Sequence, residues 1–70
     1  MADAYLFDVV AAVANIPSSP SDGDAVRVSN STGIENSSVV QNVPSGFTGD
    51  SGINVEIIYS SSASKWNYIS

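Results

Sequence analysis

Two segments of the chain alternate apolar and polar side chains in the way that is typical of β-strands. In residues 24–29, Val26 and Val28 point to one side of the segment and their neighbours to the other. In residues 53–60, the same period of two places four apolar side chains on one face: Ile53, Val55, Ile57 and Tyr59. Residues that favour turns flank both segments, so we predict a strand in each.

The C-terminal part of the chain predicts a hairpin. A Ser-rich loop at residues 60–64 leads into a last strand, on which Trp66 and Tyr68 share one face. A further short strand is predicted at residues 39–43, where Pro44 ends it. These segments predict a mainly β fold: a small antiparallel sheet with a β-hairpin.

Residues 1–14 have the spacing of an amphipathic helix. Apolar side chains recur at i, i+3, i+4 and i+7, namely Leu6, Val9, Val10 and Val13. Pro17 ends such a helix, because a proline disfavours helical geometry in the residue before it. The sequence therefore predicts a short N-terminal helix, an N-terminal helical arm over residues 1–15 and a small β domain over residues 16–70.

An extended, proline-rich lead at residues 16–20 separates the predicted helix from the first predicted strand. Pro17 and Pro20 fix their own φ, and their spacing suits polyproline II, which has three residues per turn. Asp22 and Gly23 follow as a turn signal, since glycine accepts a positive φ. A stiff lead that feeds a strand suits a chain that docks against something outside itself.

The lead resembles the opening of the foldon, the small C-terminal trimerisation unit of phage fibritin. The resemblance rests on Ile16, Pro17 and Pro20, on the Asp22-Gly23 turn, and on the Trp-containing strand at residues 64–70. The full order of these segments, including a Ser/Thr/Gly-rich middle with residues 46–52, is also similar to modules of structural proteins from marine tailed phages. Unlike the foldon, this chain has a long segment between its first strand and its Trp-containing strand. The resemblance implies a trimer in a virion.

Composition points independently to self-association. A domain of 70 residues buries only about 60% of its unfolded surface, and such domains usually need a disulfide, a metal or oligomerisation. The chain has no Cys and no His, so neither a disulfide nor a zinc site is expected. Its net charge of −5 argues against nucleic-acid and anionic-membrane partners. The acidic start and short apolar run also argue against a signal peptide or a transmembrane span.

Neither of two candidate chemical motifs predicts an enzyme or a cofactor. Residues 49–52 read Gly-Asp-Ser-Gly, as in the nucleophile segment of trypsin-like proteases, but that chemistry needs a general base and the chain has no His. Asp22 and Asp24, with Glu35 or Asp50, offer oxygen atoms of the kind that bind Ca²⁺. Turn chemistry explains Asp22 and Asp24 as well, so no catalytic residue, metal or cofactor is predicted.

We therefore expect a homotrimeric structural component of a tailed-phage virion, an extracellular particle. Its partners are further copies of itself and capsid or other virion proteins, and a small capsid decoration protein is preferred. The residues expected at the trimer interface are Ile16, Pro17, Pro20, Val26, Val28, Ile57 and Trp66. The alternatives are the trimeric end of a tail fibre and a receptor-binding module. The latter would bind a host surface glycan with Phe47 at its tip, although Phe47 also suits a role in fastening its loop to the core.

Overall fold

The computed structural model of the protein describes residues 7–70, which form one five-stranded sheet. The strands are β1 (Asp8–Ala12), β2 (Ala25–Asn30), β3 (Val40–Gln41), β4 (Val55–Ser60) and β5 (Lys65–Tyr68). Their order across the sheet is β1-β2-β4-β5-β3. Two single-turn 3₁₀ helices, Val13–Asn15 and Ile34–Asn36, lie in the connections. The prediction of a mainly β fold is confirmed.

The predicted N-terminal helix is wrong over the residues that the structure describes. Residues 8–12 are strand β1, which pairs in parallel with β2 so that Val10 lies opposite Val28. Val9 and Val10 are β-branched and favour a strand once a partner strand is available, and this pairing outweighs the helical spacing. β1 also belongs to the same sheet as residues 16–70, so the predicted arm does not form a separate unit from position 8 onward. Residues 1–6 lie outside the described part of the chain.

The sheet is mixed, although the sequence predicted an antiparallel one. β1, β2, β5 and β3 run in one direction and only β4 runs in the other. We call the end of the sheet at which the four like-directed strands begin the entry end. The predicted hairpin is present between β4 and β5, with Tyr59 opposite Trp66.

The proline-rich lead is the crossover between two parallel strands. Parallel neighbours need a connection of about a dozen residues, because the chain must return to the end at which it started. Residues 13–24 supply that length, and Val13 and Ile16 pack against the core on the way. The indole Nε1–H of Trp66 donates a hydrogen bond to the Pro17 carbonyl, with an N···O distance of 3.4 Å. The lead thus crosses its own sheet.

The hydrophobic core lies on one face of the sheet, beneath the connections that cross it. Seven apolar side chains are buried there: Val26, Val28, Ile34, Val40, Val55, Ile57 and Trp66. Ile34 is the one of these that no strand supplies, and it is fully buried. It enters the core from the connection between β2 and β3, just after Gly33, whose φ of 86° is left-handed. The other face carries the paired side chains of Arg27 and Glu56.

Ile34→Ala should destabilise the domain by about 2–5 kcal/mol, because it removes buried methyl groups and leaves a cavity. The measurement is urea unfolding followed by Trp66 fluorescence. Val39→Ala is the matched control, since Val39 is 46% exposed and its truncation should cost under about 0.5 kcal/mol. Should Ile34→Ala fail to fold, Ile34→Val reports on the same site with a loss of about 0.5–1.5 kcal/mol. Equal stability of Ile34→Val and the wild type would contradict the assigned burial.

Candidate functional site

Four of the residues expected at a trimer interface lie inside the single chain. Val26, Val28, Ile57 and Trp66 are each at most 2% exposed. These four side chains are already enclosed by their own domain, so the single chain does not present them to a second copy, and their place in a trimer interface stays a prediction. Their alternation along β2, β4 and β5 reflects packing against the chain's own crossovers.

The other three predicted contact residues lie at or near the surface, and two of them, Pro17 and Pro20, line a groove. Ile16 and Pro20 are half-buried and Pro17 is exposed. A groove of about 150 Å³ lies between the lead and the β4–β5 hairpin. We call it the lead groove; its lining residues are Pro17, Ser18, Pro20, Val39, Tyr59, Ser64 and Trp66.

The lead groove is apolar and its aromatic rings are already engaged. Tyr59 meets Trp66 edge to face, with ring centroids 5.5 Å apart. Trp66 is 2% exposed and its N–H is bonded to Pro17, so its ring face is not open for a sugar to stack on. Val39, at the rim, is 46% exposed. The groove therefore suits an apolar side chain better than a polar ligand.

Phe47, the candidate binding tip, fastens its loop to the sheet. Its ring is half-buried and lies 5.5 Å from the ring of Tyr68, centroid to centroid. The structure thus places Phe47 against the core, as the packing interpretation of the sequence expects. A ring held in this way does not project as a tip.

The Gly-Asp-Ser-Gly segment clamps the loop before β4 to the end of β2. Ser31 is fully buried; its backbone N–H and its Oγ both lie within hydrogen-bond reach of the Asp50 carbonyl, at 3.2 and 3.3 Å. The Asp50 N–H donates in turn to Ser31 Oγ at 3.2 Å. Gly49 lies so close that an added Cβ would meet the Ser31 carbonyl oxygen at 1.8 Å. The motif that resembles a protease segment therefore has a structural explanation.

Asp22 and Asp24 serve the turn that precedes β2. Asp22 Oδ1 accepts hydrogen bonds from the backbone N–H and hydroxyl of Ser61, at 2.8 and 3.1 Å. Asp24 Oδ2 accepts the Ser21 N–H at 2.8 Å, and Gly23 takes a φ of 87°. Within residues 7–70, no three His, Cys, Asp or Glu side chains come together as metal ligands.

Among residues 7–70, the carboxyl groups of Glu35 and Glu56 have lowered pKa values. Hydrogen bonds from Arg27, and then from Ser70, lower the pKa of Glu56, which forms an ion pair with Arg27 at 2.7 Å. The Gly49 backbone N–H, which donates to Glu35 Oε1 at 2.9 Å, is the largest cause of the lowered pKa of Glu35. In both cases the hydrogen bonds favour the charged form of the carboxyl group.

Sequence reasoning missed the outer edge of β1. β1 lies at one end of the strand order, and within residues 7–70 no strand pairs with its outer side. Val9 is 61% exposed there. The consecutive β-branched residues Val9 and Val10 favour a strand, but the apolar spacing of the same segment also fits a helix, which the sequence analysis preferred.

No helix among residues 7–70 has the length and apolar character needed to cross a bilayer. Comparisons with protein-family profiles, with curated proteins and with solved structures found no match to this chain. The function is therefore argued from the site itself.

Gly49→Ala should destabilise the domain by about 2 kcal/mol or more, because the new methyl group forces apart the backbone contact with Ser31. Gly52→Ala is the matched control: it lies in the same loop and its Cβ meets nothing within 4 Å. Urea unfolding of both variants measures the difference. Similar stabilities of the two variants would show that the clamp does not hold as described.

Stability should fall in acid partly through Glu56. Because its folded pKa lies below the ordinary value of 4.5, Glu56 stabilises the folded state above about pH 4.5. This contribution is lost as the pH falls through the folded pKa. Glu56→Gln should therefore lose stability at pH 7 and show a smaller further loss between pH 6 and 3, as measured by urea unfolding across that range. A variant with the wild-type pH dependence would exclude this role for Glu56.

Proposed function

We propose that this protein is a structural component of a tailed-phage virion that works as a homotrimer, and specifically a small capsid decoration protein. The observation that carries the proposal is the hydrogen bond between Trp66 Nε1 and the Pro17 carbonyl. It joins the two halves of the foldon resemblance, the proline-rich lead and the Trp-containing strand, which are 49 positions apart in the chain. The elements that resemble a trimerisation unit therefore meet in space, in spite of the long intervening segment.

The lead and its groove form the surface that we assign to the trimer contact. Pro17 is exposed, Ile16 and Pro20 are half-buried, and Val39 adds an exposed apolar side chain beside them. A lead containing two prolines and anchored on Trp66 loses little conformational freedom when it binds, which favours association. The contact leaves the core of each copy intact, so it joins domains that are already folded.

The charge of the chain supports a role on the outside of a particle. The net charge is −5, and five of the acidic residues are exposed: Asp8, Asp22, Asp24, Glu35 and Asp50. A surface of this kind stays soluble and repels nucleic acid. We therefore assign the partners as further copies of the chain and other virion proteins.

In light scattering, the protein should have a mass near three times 7.2 kDa at micromolar concentration and after tenfold dilution. Pro17→Asp should lower that mass towards one chain, because it places a charge in the apolar contact. Ile53→Asp is the matched control, since Ile53 is 39% exposed and lies away from the lead groove. A folded monomer at both concentrations of the wild type would overturn the trimer.

A further inference from the structure

The two edges of the sheet differ in how well they are protected. At one edge, β3 contains only two residues, followed by Asn42 with a φ of 66° and by Pro44. Short edge strands, irregular backbone and proline all hinder the addition of another strand. At the other edge, β1 has five residues and pairs with β2 at four of them, from Asp8 opposite Val26 to Ala12 opposite Asn30.

Among residues 7–70, the only edge-protecting feature that β1 carries is the charged side chain of Asp8. The sequence of the strand is Asp-Val-Val-Ala-Ala, without proline, lysine or glycine. Val9 and Ala11 share the face of the sheet opposite the core, and both are exposed. Outer backbone N–H and C=O groups beside small and β-branched side chains make a template for an extended peptide.

We propose that the free edge of β1 binds an extended, basic segment of another virion protein, which adds to the sheet as a sixth strand. That the partner is a virion protein rests on the proposed function. That it adds as a strand rests only on the backbone groups of β1 that are left unpaired within residues 7–70. Backbone hydrogen bonds supply the attachment, and side chains beside Val9 and Ala11 supply selectivity.

Charge indicates a basic occupant. Asp8 is exposed at the entry end of β1, and Asp22 and Asp24 precede β2 at that same end. Two side chains of the protein are basic. Arg27, opposite Val9 on the neighbouring strand, is paired with Glu56, and Lys65 donates to the carbonyl oxygen of Ser38. Within residues 7–70 neither is paired with Asp8, so a strand with Lys or Arg near Asp8 complements this end of the edge.

Symmetry also favours a different protein over a second copy. Two β1 edges pair with each other across a twofold axis, and a cyclic trimer has no such axis. Because the trimer contact is assigned to the lead groove, each proposed trimer keeps three β1 edges for a different partner. A single five-residue pairing is weak, but three attached together gain strength through multivalency.

The test uses NMR titration of the ¹⁵N-labelled full chain with the acetylated and amidated peptide Thr-Lys-Val-Lys-Val-Thr. The amide shifts should concentrate on residues 8–12 and saturate with a Kd on the order of 1 mM. The same peptide with alternate backbone nitrogens methylated lacks the donors for strand pairing and should cause no shift. The version with Glu in place of Lys should bind about threefold more weakly, as an exposed charge contact implies.

A charge reversal provides the matched variants. Asp8→Lys should reverse the preference, so that the Glu peptide binds more tightly than the Lys peptide. Thr48→Lys, which adds a positive charge to the exposed loop after β3, should keep the wild-type preference. Shifts that are absent from residues 8–12, or equal for the methylated peptide, would overturn the proposal.

Shifts at residues 8–12 that grow with protein concentration alone would instead identify a second copy as the occupant. Light scattering measures whether the protein is a trimer, so it tests the proposed function separately from peptide binding. A trimer without peptide binding removes only the strand addition, and peptide binding by a monomer removes only the trimer.

Discussion

The parallel pairing of β1 with β2 is the constraint on which the rest of the structure depends. Two neighbouring strands that run in the same direction oblige the chain to cross the sheet between them. Here a proline-rich lead makes that crossing in place of a helix. Pro17 and Pro20 hold it extended, and the hydrogen bond from Trp66 fastens it over the core. The turn at Gly23 then returns the chain to the sheet, where the Gly23 N–H donates to the Tyr59 carbonyl.

A second connection, from β2 to β3, completes the cover over the core. It contributes Ile34, which fills the space that the strands leave open. The start of this connection is fixed by Ser31, which is bonded to Asp50 in the loop before β4. Gly49 lies against the Ser31 carbonyl, which also accepts the backbone N–H of Ile34 at 2.9 Å, so the Gly-Asp-Ser-Gly segment lies next to the residue that leads Ile34 into the core. One short sequence therefore links the loop, the crossover and the core.

Closure of the core within one chain changes how the foldon resemblance is interpreted. A domain whose Val, Ile and Trp side chains are already enclosed does not need other copies to form its core. In our proposal, association uses two separate surfaces: the lead groove beside Pro17, and the outer edge of β1 beside Val9. The first is an apolar contact suited to further copies, and the second is a backbone template suited to an extended partner. With both surfaces, the proposed trimer contact and the proposed strand addition do not compete for the same residues.

The sequence by itself determined the class of fold, the hairpin of β4 and β5 and the core side chains Val26, Val28, Val55, Ile57 and Trp66, because period-two alternation is a local property of the chain. It also indicated the turn at Asp22 and Gly23. It did not indicate Ile34, which lies outside the strands, and it placed Ile53 on the buried face although Ile53 is 39% exposed. Only the tertiary structure decided that residues 8–12 form a strand: their spacing also fits a helix, and the choice depended on whether β2 offered a partner edge. The tertiary structure also decided which surfaces are candidates for binding. Alternation shows which side chains are buried, but whether a chain's own crossover or another copy covers them depends on contacts between distant residues such as Pro17 and Trp66.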